Sequence, residues 1–195
     1  RWVKVVTVLL ALPVLLYFIL WLLFARGLPS AESLLNYEPV LPTYVRDANG
    51  EPAQSFARER RVQLAFDEYP PQLINAFLAA EDRTFFEHTG IDYPGFAGAV
   101  FDYIAKSGSG ERARGGSTIT QQVAKIFFIG DEYSVTRKIR EAFLARRIEA
   151  VLSKQQILEL YLNQIFWGRS GAANLIGVGA ASWAYFGKRP AELDL

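Results

Sequence analysis

The chain has 195 residues, 51% hydrophobic and 14% aromatic, with 21 Lys and Arg against 20 Asp and Glu. The absence of cysteine excludes a disulfide framework, a thiolate metal site and a cysteine nucleophile, and the single histidine excludes a histidine-rich zinc site. Scattered Gly and Pro exclude a collagen-like, rod-like or disordered chain, and the near-neutral balance argues against bulk nucleic-acid binding.

Residues 5–25, VVTVLLALPVLLYFILWLLFA, carry no charge and are apolar on every face. At about 1.5 Å per residue they reach across a hydrocarbon layer ~30 Å thick, which predicts a membrane helix rather than a buried soluble one. The run is also longer than the apolar core of a secretory signal peptide, the alternative at this position. Arg1 and Lys4 favour a cytoplasmic stub at residues 1–4, with Arg26 on the far flank as a counterweight.

Residues 26–66 read as a linker with a β-hairpin at Asn49-Gly50, where both turn residues must accept positive φ. A helix follows Pro70-Pro71, with Leu73, Ile74, Phe77 and Leu78 at helical spacing. Residues 106–116, KSGSGERARGG, read as a loop. Thr118 and Gln121 form a capping-box pattern opening a helix to about Phe128. A further helix is predicted over 136–152, and another from Ser153, paired with Gln156, to about Phe166. The body, residues 67–195, is therefore mainly α with one small β element.

Glu81 and Asp82 close an apolar helix. A carboxylate in apolar surroundings has its ionised form disfavoured and suits general-base work; a helix-end ion pair with Arg83 is the plainer reading. Glu141 lies four residues after Arg137, which is either a solvated bridge or part of a site. GGSTITQQVAK places Ser117, Thr118, Thr120, Gln121 and Gln122 within six residues, suited to an anionic or sugar ligand or to ordinary capping. Lys125, Arg137 and Lys138 sit in a segment, 106–147, with nine basic and four acidic residues, and would suit a diphosphate. His88 reads as a hydrogen-bonded structural residue.

AEDRTFFEHTGID, GGSTITQQVAK, RKIRE and KQQILELYLNQIFWG occur in that order. The set, from about Thr43 to Lys188, resembles the peptidoglycan glycosyltransferases (glycosyltransferase family 51), which include class A penicillin-binding proteins and monofunctional transglycosylases. The resemblance implies a lysozyme-like helical domain with one N-terminal transmembrane helix and a small membrane-embedded lobe, in which residues 93–105 fall; core packing is the alternative for those residues. It implies that lipid II is polymerised into β-1,4-linked glycan with inversion and release of undecaprenyl diphosphate. In that role Glu81 is the general base, and Lys125, Arg137 and Lys138 stabilise the diphosphate. Glu141 assists the leaving group, directly or through a divalent cation such as Mg²⁺ or Mn²⁺. Asp82, Ser117, Thr118, Gln121 and Gln122 bind substrate, and Asn163 orders its helix.

The implied partners are lipid II, a glycan on undecaprenyl diphosphate, the membrane and a cell-wall synthesis complex, with no nucleic acid. The implied location is the bacterial cytoplasmic (inner) membrane, single-pass, with the body on the periplasmic side. The sequence departs from the family in a longer loop at 166–180, and its end at PAELDL is expected to truncate the domain. A lipid II-binding scaffold without turnover and a lysozyme-like glycan-cleaving enzyme are the rival readings.

Overall fold

The computed structural model describes residues 1–39, 43–49, 52–56, 58–106, 115–130 and 134–194. Helix α1 (Trp2–Leu20) runs into a π-helical turn, Trp21–Ala25. Within this run Lys4–Ala25 is 22 residues long with a mean hydropathy of 2.7, long and apolar enough to cross a membrane. Most of its apolar side chains from Val5 to Leu23 are exposed, while Ala25 at its end is buried.

The junction with the body is polar. Arg147 donates to the carbonyls of Ala25 (2.8 Å), Leu28 (2.9 Å) and Pro29 (3.3 Å), supplying partners to the acceptors that a helix end leaves over. Tyr17 and Phe143 add a ring contact at 5.8 Å.

The predicted hairpin forms from β1 (Thr43–Arg46) and β2 (Pro52–Phe56), antiparallel with Thr43 opposite Phe56. The Asn49 N–H donates to Asp47 Oδ1 at the turn, while Gly50 lies outside the described residues.

The body is built from α2 (Pro71–Glu81), α3 (Tyr93–Lys106), α4 (Ile119–Ala124), α5 (Val135–Val151), α6 (Lys154–Gln164) and α7 (Val178–Phe186). Both foreseen capping boxes are present, with Thr118 and Ser153 each exchanging bonds with the Gln three residues on. Ser134 caps α5 through the Arg137 N–H. Continuing from α4, Lys125–Ile129 adopts a π-helical turn stopped by Gly130 at φ 83°. Of the predicted loop, residues 107–114 lie outside the described residues.

Helix α4 packs against both α5 and α6 around fully buried Ile119, Val123, Leu144, Ile148, Leu158 and Leu162. On α5 the buried row is Arg137, Glu141, Leu144, Ala145 and Ile148, spaced as one helical face. One stripe thus changes from apolar in the core to ionic at its N-terminal end.

Helix α6 stops at Gln164 because Phe166 begins a strand. Strands β3 (Glu59–Arg61), β4 (Phe166–Ser170) and β5 (Ala173–Ile176) form a sheet in the order β3-β5-β4. β3 runs parallel to β5, and β4 antiparallel to it. The long loop expected at 166–180 is this β4–β5 hairpin and the start of α7, and the segment read as linker contributes β3. These strands have three to five residues and lack clean polar-apolar alternation, which hides them from periodicity.

Asn163, buried on α6, ties in the chain ahead of α2. Its Oδ1 accepts from Leu64 N–H (3.1 Å) and the Tyr69 hydroxyl (2.9 Å), and its Nδ2 donates to Leu64 O (2.8 Å). It thereby holds that segment to α6, a wider tie than the ordering of its own helix that the resemblance implies. Helix α3 presents Tyr93, Phe96, Phe101 and Ile104 to the outside, so the core-packing alternative does not hold for them.

Replacing Arg147 with Ala should leave the carbonyls of Ala25, Leu28 and Pro29 without these donors and destabilise the junction by roughly 1–3 kcal/mol. Amide hydrogen exchange across residues 25–30 should accelerate while the α4–α6 core stays protected. Unchanged exchange at the junction would contradict this role.

Candidate active site

Asp82 follows the last residue of α2 and is only 6% exposed. Its Oδ2 accepts the first N–H of α4, from Ile119, at 2.9 Å. Both its oxygens lie 3.0–3.1 Å from His88 Nε2. The Gly90 N–H donates to His88 Nδ1, so the proton of the neutral ring is assigned to Nε2, which donates to Asp82. The Gly90 carbonyl in turn accepts from the Thr118 hydroxyl at 2.8 Å. Gly90 needs its glycine: φ is +93°, and a Cβ would come within 2.8 Å of the Ala145 carbonyl. The ion pair read for Arg83 gives way to this arrangement, and Arg83 Nε reaches back to Ala79 O at 3.4 Å.

This lock sets Glu81 beside α4. Glu81 is exposed rather than sunk in apolar surroundings, so the expected desolvation of this carboxylate is corrected: the cleft leaves it open to water. Its Oε2 accepts from Gln122 Nε2 at 3.0 Å. Gln122 Oε1 faces the Tyr161 hydroxyl at 3.4 Å, fixing which end of the amide points to Glu81. Burial first, then the Glu81 charge, pushes the Tyr161 phenol well above its ordinary range and keeps it a donor. These groups line a cleft of about 820 Å³, together with Lys125, Phe77 and Trp167.

A second cluster lies where α5 begins. Glu141 is 1% exposed and pairs with Arg137 at 3.1 Å and Lys138 at 2.6 Å. Lys138 also donates to Ser117 Oγ at 2.7 Å. The solvated-bridge reading of Arg137–Glu141 is therefore overturned by burial. Thr118 and Gln121 are buried and engaged with each other in the cap, and Asp82 with His88 and Ile119, so these three face inward rather than into the cleft. The structure thus gathers Glu81, Gln122 and Lys125 on the cleft, and Ser117, Arg137, Lys138 and Glu141 in a cationic cluster. The segment from Ser117 to Lys125 joins the two.

Glu141 does not fit a resident divalent cation. Its neighbours are Arg137 and Lys138, and among the described residues no group of three His, Asp or Glu gathers to hold a metal.

Tyr161 escapes sequence reasoning. It falls in the buried face of α6 with Ile157, Leu158 and Leu162, and spacing alone marks it as core. The hydroxyl at the cleft is visible only once α4 is packed against that face. What the cleft can do chemically is accept a proton at Glu81 from a bound hydroxyl, with fixed positive charge available for an anion.

Residues 49–195 match the family model described as Transglycosylase. Among similar proteins, penicillin-binding protein 1A of Vibrio cholerae serotype O1 is 43% identical over 168 residues, 86% of this chain and 20% of that protein. Penicillin-binding protein 1A of Rickettsia felis is 42% identical over 172 residues, 88% and 21% of the two chains. That of Escherichia coli K12 is 41% identical over 168 residues, 86% and 19%. The chain spans about a fifth of the length of these relatives.

Asp82→Asn should lower stability by roughly 1.5–3 kcal/mol, because an amide loses the charge-assisted bonds to Ile119 and His88. Thermal unfolding reads this, and an unchanged midpoint would remove Asp82 as the lock. Tyr69 and Tyr161 give an alkaline signature, since both phenols are pushed up in the folded chain. The unfolded chain releases these protons near pH ~10 while the folded chain retains them, so their contribution is intact below ~10 and falls as pH rises beyond it. The urea midpoint between pH 9 and 11.5 should fall less steeply in Tyr161→Phe than in the parent. Identical slopes would contradict the burial argument.

Proposed function

The chain belongs to the transglycosylase family, and from that membership we propose that it polymerises lipid II into β-1,4-linked peptidoglycan glycan, releasing undecaprenyl diphosphate. The carrying observation is the Glu81 carboxylate, held at the cleft by Gln122 and backed by the buried lock at Asp82.

In this reading Glu81 takes the proton of the acceptor sugar's 4-hydroxyl. That oxygen attacks the donor's anomeric carbon while the bond from this carbon to the diphosphate oxygen breaks. The bond electrons leave with the diphosphate, and the carbon is inverted. A diphosphate is already a good leaving group, so catalysis rests on stabilising its charge more than on protonating it. Lys125, Arg137 and Lys138 serve that purpose. Glu141 holds Arg137 and Lys138 in position, and Ser117 fixes the Lys138 ammonium. Asp82, Thr118 and Gln121 act through the backbone they hold, while Gln122 orients the base.

Both substrates of this reaction are lipid-bound, which suits a tethered body searching a surface. Residues 5–25, within the apolar run Lys4–Ala25, serve as the single-pass anchor in the bacterial cytoplasmic membrane, with residues 1–4 inside and the body on the periplasmic side. The outward aromatic and aliphatic side chains of α3 suit contact with the bilayer surface. Recruitment by a cell-wall synthesis complex belongs to the same reading.

The test uses detergent-solubilised chain and labelled lipid II, with products separated before and after muramidase digestion. The parent should form muramidase-sensitive polymer. Glu81→Gln should reduce polymer at least ~100-fold while lipid II still binds. Binding without polymer in the parent would instead identify a scaffold, and unchanged turnover in the variant would remove Glu81 as the base.

A further inference from the structure

Among the aromatic residues lining the cleft to which the reaction gives no task, Trp167 is the one placed at a strand irregularity. Trp167 lies in β4, where the register against β5 shifts between Phe166 and Arg169. Gly168 within that irregularity has φ +96°. A strand bulge bends the backbone and re-aims the side chain beside it, and this one delivers Trp167 to the cleft wall. The placement is fixed at two points. The Tyr185 hydroxyl donates to the Trp167 carbonyl at 2.7 Å, and Phe77 meets the indole edge-on with centroids 6.1 Å apart at 85°. Despite both contacts, Trp167 stays 37% exposed.

Phe77 also stands edge-on to Tyr161, at 6.2 Å and 84°. One ring thus supports both the indole and the phenol that leads through Gln122 to Glu81. Polar groups line the same cleft. Arg61 donates to Gln164 Oε1 at 2.7 Å and to Glu59 Oε2 at 2.8 and 3.0 Å, and the Glu59 side chain is 40% exposed.

A pyranose has C–H faces that are apolar and a rim of hydroxyl and amide groups that require donors and acceptors. A β-1,4-linked sugar with equatorial substituents shows such a face on both sides. An exposed indole beside an Arg–Glu–Gln edge matches that division, because the electron-rich face of the ring attracts polarised C–H groups. A diphosphate has no such face, and the cationic cluster serves it better.

We propose that Trp167 is a sugar-stacking platform, holding one pyranose ring of the glycan in the cleft that contains Glu81, with Glu59 and Arg61 reading its rim. The inference rests on the glycan-polymerising reading and adds a subsite to it. Trp167 is a binding residue and takes no part in proton transfer.

The probe is the β-1,4-linked N-acetylglucosamine tetramer, which carries neither lipid nor diphosphate, titrated calorimetrically into the detergent-solubilised full chain. Trp167→Ala should weaken tetramer binding roughly three- to tenfold, and Trp167→Phe, which keeps an aromatic face, should recover part of it. The same Ala variant should raise KM for lipid II with kcat nearly unchanged. Equal tetramer affinity in parent and Trp167→Ala, or no tetramer binding by the parent, overturns the platform. Loss of affinity for undecaprenyl diphosphate with glycan binding intact also overturns it, in favour of a lipid contact. Lipid II polymerisation by the parent is scored separately: its failure counts against the function, whereas polymerisation with an unaltered Trp167→Ala KM counts against the platform alone.

Discussion

A single buried carboxylate holds the site together. Asp82 joins the end of α2, the loop carrying His88 and Gly90, and the first turn of α4. A charge this deep is tolerable only when hydrogen bonds replace the water it has lost. Here an amide N–H and an imidazole N–H provide that replacement, and each comes from a different segment. The adjacent Glu81 therefore inherits a fixed position while remaining open to the cleft. Two consecutive acids thus differ in setting, one buried and hydrogen-bonded, the other exposed on the cleft.

Helix α5 makes a comparable division along its length. Leu144, Ala145 and Ile148 belong to the core, and the same face continues into Glu141 and Arg137. Burying an acid between two cations keeps a concentrated charge cluster from repelling itself apart. It also removes freedom from long side chains that would otherwise sample many rotamers. Lys138 is the most exposed member, at 43% of its side chain, and is the one that reaches Ser117 beyond its own helix. The rigidity of the cluster comes from the core, to which it is joined by one helical stripe.

The parts legible in the sequence are those written in local chemistry. Thr118–Gln121 and Ser153–Gln156 announce helix starts because capping involves only four consecutive residues. The uncharged run at 5–25 is equally local. Strand β3 is not, because Glu59, Arg60 and Arg61 become a strand only through pairing with Asn174, Leu175 and Ile176, more than a hundred residues away. The π-helical turn at Lys125–Ile129 and the bulge at Trp167 are likewise set by what packs around them. Among the candidate site residues, residue types singled out Glu81, Gln122 and the three cations as candidates, but not which carboxylate would be buried. An apolar helix precedes both Glu81 and Asp82, and the direction each takes depends on His88 and Ile119.

Arg147 ties the end of the apolar N-terminal run to the same helix that carries Arg137 and Glu141. In the proposed membrane setting this gives the protein a lever. A span longer or shorter than the surrounding hydrocarbon accommodates by tilting. With Ala25 held by Arg147 and Tyr17 against Phe143, such a tilt carries α5 with it, and α5 carries the charges proposed to face the diphosphate. Bilayer thickness then becomes a mechanical input to the chemistry, delivered through a rigid joint rather than a slack leash.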